Sequence, residues 1–281
     1  LRGHEILTRS RTLIEAQGHQ VIYGDTDSVF VCLNALSTDS IIDNTTSKDP
    51  KPKSLQDIDK QGKQLAQYLN QWWQDTIQEQ YQLPSYLEIE YETHYSQFVM
   101  PTIRGSDTGS KKRYAGVVAM ADGSSELIFK GLEAVRTDWT PLARQFQRTL
   151  YAKVFNDEPV DDFVRELVGA VKAGQHDADL WYRKRIRRRL DDYKRNVPPH
   201  VQAARKADEW RHQQGVPPRY ERGGWIQYAL TLSGPEPIEH RVSAFDYDQY
   251  IERQIAPIVD GIMQFKDSSF LDITDSQLGL F

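Results

Sequence analysis

The 281-residue chain is 39% apolar and 27% charged, long enough for two domains with real cores, and carries a formal net charge of −5. No apolar run approaches a membrane span, Ala115–Ala121 being the longest that stands out, and no signal peptide opens the chain; no membrane partner and a cytoplasmic location are therefore expected. One cysteine, Cys32, excludes an internal disulfide and a cysteine-based zinc site, and is expected to be a buried strand residue.

Ile6, Leu7, Leu13, Ile14 and Gln17 recur at helical spacing and Gly18 follows as a C-cap, which predicts a helix over Leu1–Gln17. The chain begins with Leu1, inside that amphipathic pattern, and so reads as a piece of a longer polypeptide. Val21–Val31, VIYGDTDSVFV, has two β-branched or aromatic runs around a short polar center, the pattern of two antiparallel strands and a tight turn. Asn34–Ser54 is a polar surface loop, and Leu55, Ile58, Leu65, Leu69 and Trp72 mark a second amphipathic helix over Leu55–Gln80. Strands are predicted at Tyr86–Met100, Arg113–Met120 and Glu126–Lys130. Beyond Arg136 the pattern turns helical, at Pro141–Phe155, Asp161–Ala173, Ala178–Arg195 and His200–Gln213. A strand at Trp225–Leu232 and a helix at Asp246–Gln264 follow. The fold class is α+β, with a domain boundary near Val135.

Total charge hides a segregation. Pro141–Gly223 holds 18 Lys and Arg against 12 Asp and Glu, while the remainder is strongly acidic. Such asymmetry is expected when one face meets phosphate. Its center is Trp181–Arg195, WYRKRIRRRLDDYKR, where Arg183, Lys184, Arg185, Arg187, Arg188 and Arg189 crowd together along an expected helix with an apolar stripe of Ile186, Leu190 and Tyr193. Phosphate contact accounts for that density better than a solvated face.

Two carboxylates, Asp25 and Asp27, stand two residues apart at the hairpin tip. Residues so spaced on a strand lean to one face. Adjacent carboxylates repel unless a cation sits between them, and hard oxygen ligands suit Mg²⁺. In Tyr86–Glu92, YLEIEYE, Glu88, Glu90 and Glu92 alternate with Leu87, Ile89 and Tyr91. A solvated outer face explains the three glutamates; Glu90 is the one to place near a metal site if any is.

The hexapeptide Tyr23–Ser28, YGDTDS, closely resembles the third palm motif of family B DNA polymerases. Gly109–Gly116, GSKKRYAG, resembles the segment with which that family touches the primer–template minor groove. Lys130–Asp138, KGLEAVRTD, resembles its palm–thumb junction. The basic run, with Pro198–Val201 and Gly224–Tyr228, resembles the thumb of a bacterial member. The likeness covers essentially the whole chain.

It implies the rear palm over 1–135 and the thumb over 136–276. Asp27 would be the principal ligand and Asp25 the secondary ligand of a two-metal Mg²⁺ site for transfer of a deoxynucleoside triphosphate onto a primer 3′-hydroxyl. Lys111 and Lys112 would reach minor-groove acceptors, with Tyr114 packing beside them or contacting the DNA backbone. Gly131 would admit a close backbone, and Lys130 and Arg136 would meet primer phosphates. Arg183, Lys184, Arg187, Arg188 and Arg189 complete the expected DNA contacts. Gln277–Phe281, QLGLF, resembles the peptide by which bacterial polymerases hold the sliding clamp, through Gln277, Leu278, Leu280 and Phe281. The family's further palm carboxylate, fingers and exonuclease are not found. A C-terminal fragment is therefore expected, inactive alone yet DNA-binding, from an enzyme of repair and replication restart. The alternative is a noncatalytic, polymerase-derived module for DNA binding or clamp tethering.

Overall fold

Gly18 closes the first helix, α1 (Arg2–Ala16), by taking φ +84°, and its N–H donates to the Glu15 carbonyl at 3.0 Å. The computed structural model describes residues 2–25, 28–33, 54–101, 112–120 and 122–275. It has small antiparallel sheets among many helices, an α+β fold. Two compact units divide it: Leu1–Ser96 with Val117–Glu126, and Gln97–Gly116 with Leu127–Phe281.

In the first unit α1 lies beside an antiparallel hairpin, β1 (Gln20–Asp25) and β2 (Ser28–Cys32). The long helix α2 (Leu55–Tyr81) starts at a reciprocal cap. Ser54 Oγ accepts from the Asp57 N–H at 3.2 Å, and Asp57 Oδ2 accepts from the Ser54 N–H at 3.3 Å. Ile14, Val21 and Leu69 form a core from α1, β1 and α2, with Leu13, Val29, Val31, Leu65 and Ile89 around it. Burying each such side chain contributes roughly 1.5–3 kcal/mol. The buried Trp73 Nε1 donates to Ser10 Oγ at 3.0 Å, so neither polar atom is stranded.

The YLEIEYE segment keeps its expected alternation but forms no ladder. Residues 83–95 are extended without strand partners and lie along α2. Asn70 bonds both backbone groups of Ile89 at 2.8 Å, Tyr91 Oη donates to Asp59 at 2.8 Å, and the Tyr91 ring fills the space where a Cβ at Gly62 would sit. The helix supplies the partners that a neighboring strand would have supplied. Regular pairing is confined to β3 (Gln97–Val99), the edge of a sheet ordered β3–β4–β5 with β4 (Tyr114–Ala119) and β5 (Ser125–Lys130).

The second unit holds the larger core, in which Phe146, Leu150 and Tyr151 of α3 (Pro141–Phe155) join Val164 and Val171 of α4 (Asp161–Lys172). Thr140 caps α3, its Oγ1 accepting from the Ala143 N–H at 3.2 Å. A sheet ordered β6–β7–β8, of β6 (Tyr182–Ile186), β7 (Gly224–Thr231) and β8 (Gly234–Pro237), packs on α5 (Pro199–Gln213). The last long helix is composite: α6 (Tyr247–Tyr250), a π-turn Ile251–Ile255 and α7 (Ala256–Met263). Pro257, which has no N–H for the helical ladder, stands just beyond the π-turn. The short α8 (Phe270–Asp275) ends the described chain.

Two expectations are corrected. Ala178–Arg195 is not a helix: β6 occupies its middle, between single turns at Asp177–Asp179 and Leu190–Asp192. On a helix, Lys184 and Arg188, or Arg185 and Arg189, would stack like charges four apart. In the strand neighbors turn to opposite faces, and Ile186 and Leu190 are still buried. Cys32, at the end of β2, is exposed. The expected loop at Asn34–Ser54 lies, up to residue 53, outside the described residues. Among the described residues no helix is long and apolar enough to cross a membrane.

Candidate nucleic-acid interface

The hairpin pairs Gln20 with Cys32 and Val21 with Val31, then slips by one residue and pairs Tyr23 with Phe30, Gly24 with Val29 and Asp25 with Ser28. Ile22 is the extra residue, 54% exposed, and such a bulge twists a strand and re-aims the side chains beyond it. Pairing thus carries Asp25 to the very end of β1. Asp27 lies outside the described residues. Carboxylate oxygens are the donors Mg²⁺ takes, but among the described residues no group of three or more His, Cys, Asp or Glu side chains could hold an ion. The donors that the sequence offers at this hairpin fit such an ion in kind.

In the second unit the entry to β4 meets the corner after β5. Lys112 is the first described residue of the lysine motif; Lys111 lies outside. Gly131 takes φ +63°, and a Cβ there would collide with the Lys112 carbonyl oxygen. The backbone that approaches Gly131 so closely is therefore the chain's own. Arg113 forms an ion pair with Glu133, whose side chain is 7% exposed. Gln147 of α3 donates to Glu133 Oε2 at 2.7 Å and accepts from the Ala134 N–H at 2.6 Å, while Arg148 donates to the Ala134 carbonyl at 3.0 Å. Burial holds the Arg113 guanidinium below its ordinary value; Tyr151 opposes this and Arg136 adds to it. Tyr114 packs its ring on Phe98 at 5.3 Å between centroids. Lys130 is exposed beside the corner.

Arg136 makes two bonds to Asp138, at 3.0 and 2.9 Å, and Lys184 approaches the same carboxylate at 3.5 Å. The hydrogen bonds from Arg136, with the charges of Arg136 and Lys184, hold the Asp138 carboxyl at about 2 against partial burial. Two of the expected phosphate-binding cations thus share one acid that sequence reasoning passed over. Its signal was its place two residues after Arg136.

The basic run is held by backbone. β6 pairs with β7 in the register Tyr182–Tyr228 to Ile186–Gly224, and the guanidinium of Arg183 lies 4.9 Å from the Trp225 ring center. At Gly223, φ +95°, a Cβ would lie 2.7 Å from the Ile186 carbonyl oxygen and 3.4 Å from that of Arg188. The Leu190 N–H donates to the Glu221 carbonyl at 3.1 Å, and Arg205 donates to the carbonyls of Leu190 and Tyr193 at 3.0 and 2.8 Å. Arg189 pairs with Glu221 at 2.9 Å. Arg185, Arg187 and Arg188 are exposed and have no carboxylate partner among the described residues. The chain therefore presents these three cations from a paired strand end (Arg185) and the pinned loop after it (Arg187 and Arg188), an arrangement that neutralizes phosphates with little ordering cost.

Glu88, Glu90 and Glu92 are exposed on the first unit, alternating with half-buried Leu87, Ile89 and Tyr91. Gln277, Leu278, Leu280 and Phe281 lie outside the described residues.

Comparison with known proteins gives one family. The model of DNA polymerase family B matches residues 3–264. DNA polymerase II of Escherichia coli is 48% identical over 281 residues, all of this chain and 34% of that protein. A DNA polymerase of Pyrococcus horikoshii is 24% identical over 276 residues, 93% of this chain and 19% of its own length. The DNA polymerase alpha catalytic subunit of Drosophila melanogaster is 22% identical over 290 residues, 94% of this chain and 17% of its own. The chain thus spans about a third or less of these relatives.

Proposed function

Since the chain belongs to DNA polymerase family B, we propose that it supplies the DNA-holding portion and one metal-binding hairpin of a template-directed DNA polymerase. The observation that carries this reading is the family match across residues 3–264, which takes in the acidic hairpin, the lysine motif and the basic strand alike. In this reading 1–135 is the rear of the palm and 136–276 the thumb.

The proposed reaction is attack of a primer 3′-hydroxyl on the α-phosphate of a deoxynucleoside triphosphate, with pyrophosphate leaving. Asp27 and Asp25 would hold Mg²⁺, which supplies charge stabilization at the reacting phosphate. A further carboxylate and the cations that hold the triphosphate would come from the two thirds of DNA polymerase II's length that this chain does not span. The chain's own residues hold the duplex. Lys111 and Lys112 would reach minor-groove acceptors common to every base pair. Lys130, Arg183, Arg185, Arg187 and Arg188 would meet phosphates, and Arg136 and Lys184 would do so in exchange for Asp138. By itself the chain would bind duplex DNA without extending a primer. Repair and replication restart is the proposed setting. The QLGLF sequence at 277–281 supports clamp tethering as a further role.

The test is primer extension by the longer polymerase carrying this segment. Asp27→Ala is expected to abolish extension and leave duplex affinity within about twofold, because a carboxylate adds nothing to phosphate attraction. Equal loss of binding and extension would make the hairpin structural and remove the metal-ligand assignment.

A further inference from the structure

The ion pair of Arg113 and Glu133 lies within the second unit, on residues outside the basic run. It joins the strand that begins after Lys112 to the corner that carries Lys130 on one side and Arg136 on the other. Glu133 is nearly buried, accepts from Gln147, and Gln147 in turn fixes the Ala134 N–H; Arg148 fixes the Ala134 carbonyl. Gly131, having no Cβ, lets the Lys112 carbonyl pack against the same corner. The corner's backbone is thereby tied to α3 and to the lysine motif at once. A buried ion pair gives little net stability against apolar residues of the same volume, so stability is a weak account of its presence. Direction is a better one, because a charge pair has a preferred geometry that two apolar side chains lack.

We infer that Glu133 is a positioning residue for primer–template binding, acting through Arg113 to hold the Lys112 strand and the Lys130–Arg136 corner in the one arrangement that meets duplex DNA. This rests on the reading that the corner faces DNA. The carboxylate itself, buried beneath the corner, contacts no nucleic acid.

The experiment measures binding of the 281-residue chain to a fluorescent duplex with a recessed 3′ end at several salt concentrations, with thermal unfolding followed on the same samples. Glu133→Gln is expected to weaken affinity about tenfold and to flatten the salt slope by about 0.9, one phosphate contact. Arg113→Met should do the same, and Arg113→Lys, which keeps the charge opposite Glu133, should restore both. In the double variant Arg113→Met with Glu133→Leu, thermal stability should return while affinity does not.

If the double variant regains affinity along with stability, the pair is merely structural and the inference is overturned. Wild-type slope in Glu133→Gln and Arg113→Met overturns it equally, and should Glu133→Gln not fold, the comparison of Arg113→Met with Arg113→Lys decides alone. Failure of the unaltered chain to bind duplex would overturn the functional reading as well. Binding with unchanged variants overturns only the role of Glu133.

Discussion

At the scale of single residues, the least expected neighbor of the proposed phosphate ligands is an acid. Asp138 accepts two bonds from Arg136 and lies 3.5 Å from Lys184, so in the proposed reading DNA would compete with it for both cations. Asp138→Asn is therefore expected to tighten duplex binding severalfold, by roughly 1 kcal/mol, and to steepen the salt dependence; unchanged affinity would show that neither cation reaches DNA. The pH dependence has a definite sign. A carboxyl held at about 2, below its ordinary 3.8, stabilizes the fold above that ordinary value and loses this contribution as pH falls toward 2. Wild type should thus show a steeper fall in thermal stability between pH 4 and 2 than Asp138→Asn, and parallel curves would contradict the pairing. The sequence hinted at the Arg136 pairing only through the spacing of two residues in KGLEAVRTD, and the Lys184 contact was not legible at all. An acid's partners depend on a strand 46 residues away.

Elements were legible where one local rule governed them. The helices α1, α2 and α3, each with a capped end, follow apolar spacing, and β7 follows its β-branched and aromatic run. The basic strand β6 defied that rule, because Ile186, Leu190 and Tyr193 fall at helical spacing while pairing with β7 decides the conformation. The extended stretch 83–95 kept its alternation without a sheet because its backbone partner is the Asn70 side chain, which periodicity cannot reveal. Gly223 is what lets the arginine loop lie against the start of β7. Gly223→Ala would force a Cβ to 2.7 Å from the Ile186 carbonyl oxygen at φ +95°, a left-handed conformation costing about 1–2 kcal/mol before the collision is counted. The expected outcome is a thermal destabilization of at least that size and weaker duplex binding with every arginine still present. An unaltered unfolding curve would mean the loop is not pinned there.

Over the whole molecule, charge does the sorting that net charge conceals. The excess of Lys and Arg between Pro141 and Gly223 lies within an otherwise acidic chain, and it falls in the second compact unit. The acidic hairpin belongs to the first. Family membership was legible from short motifs at their spacing, whereas the ties among them (Arg113 to Glu133, Gly223 to the arginine loop) needed three dimensions. The most direct test is the salt dependence of duplex binding by the 281-residue chain and by Arg185→Ala/Arg187→Ala/Arg188→Ala. The account predicts sequence-independent binding whose log–log slope flattens by about 0.9 for each phosphate no longer neutralized, up to about 2.7 in the triple variant. Arg189→Ala, which removes a cation already paired with Glu221, should change the slope far less. Identical slopes for the unaltered chain and the triple variant would contradict the claim that this strand end and loop hold DNA.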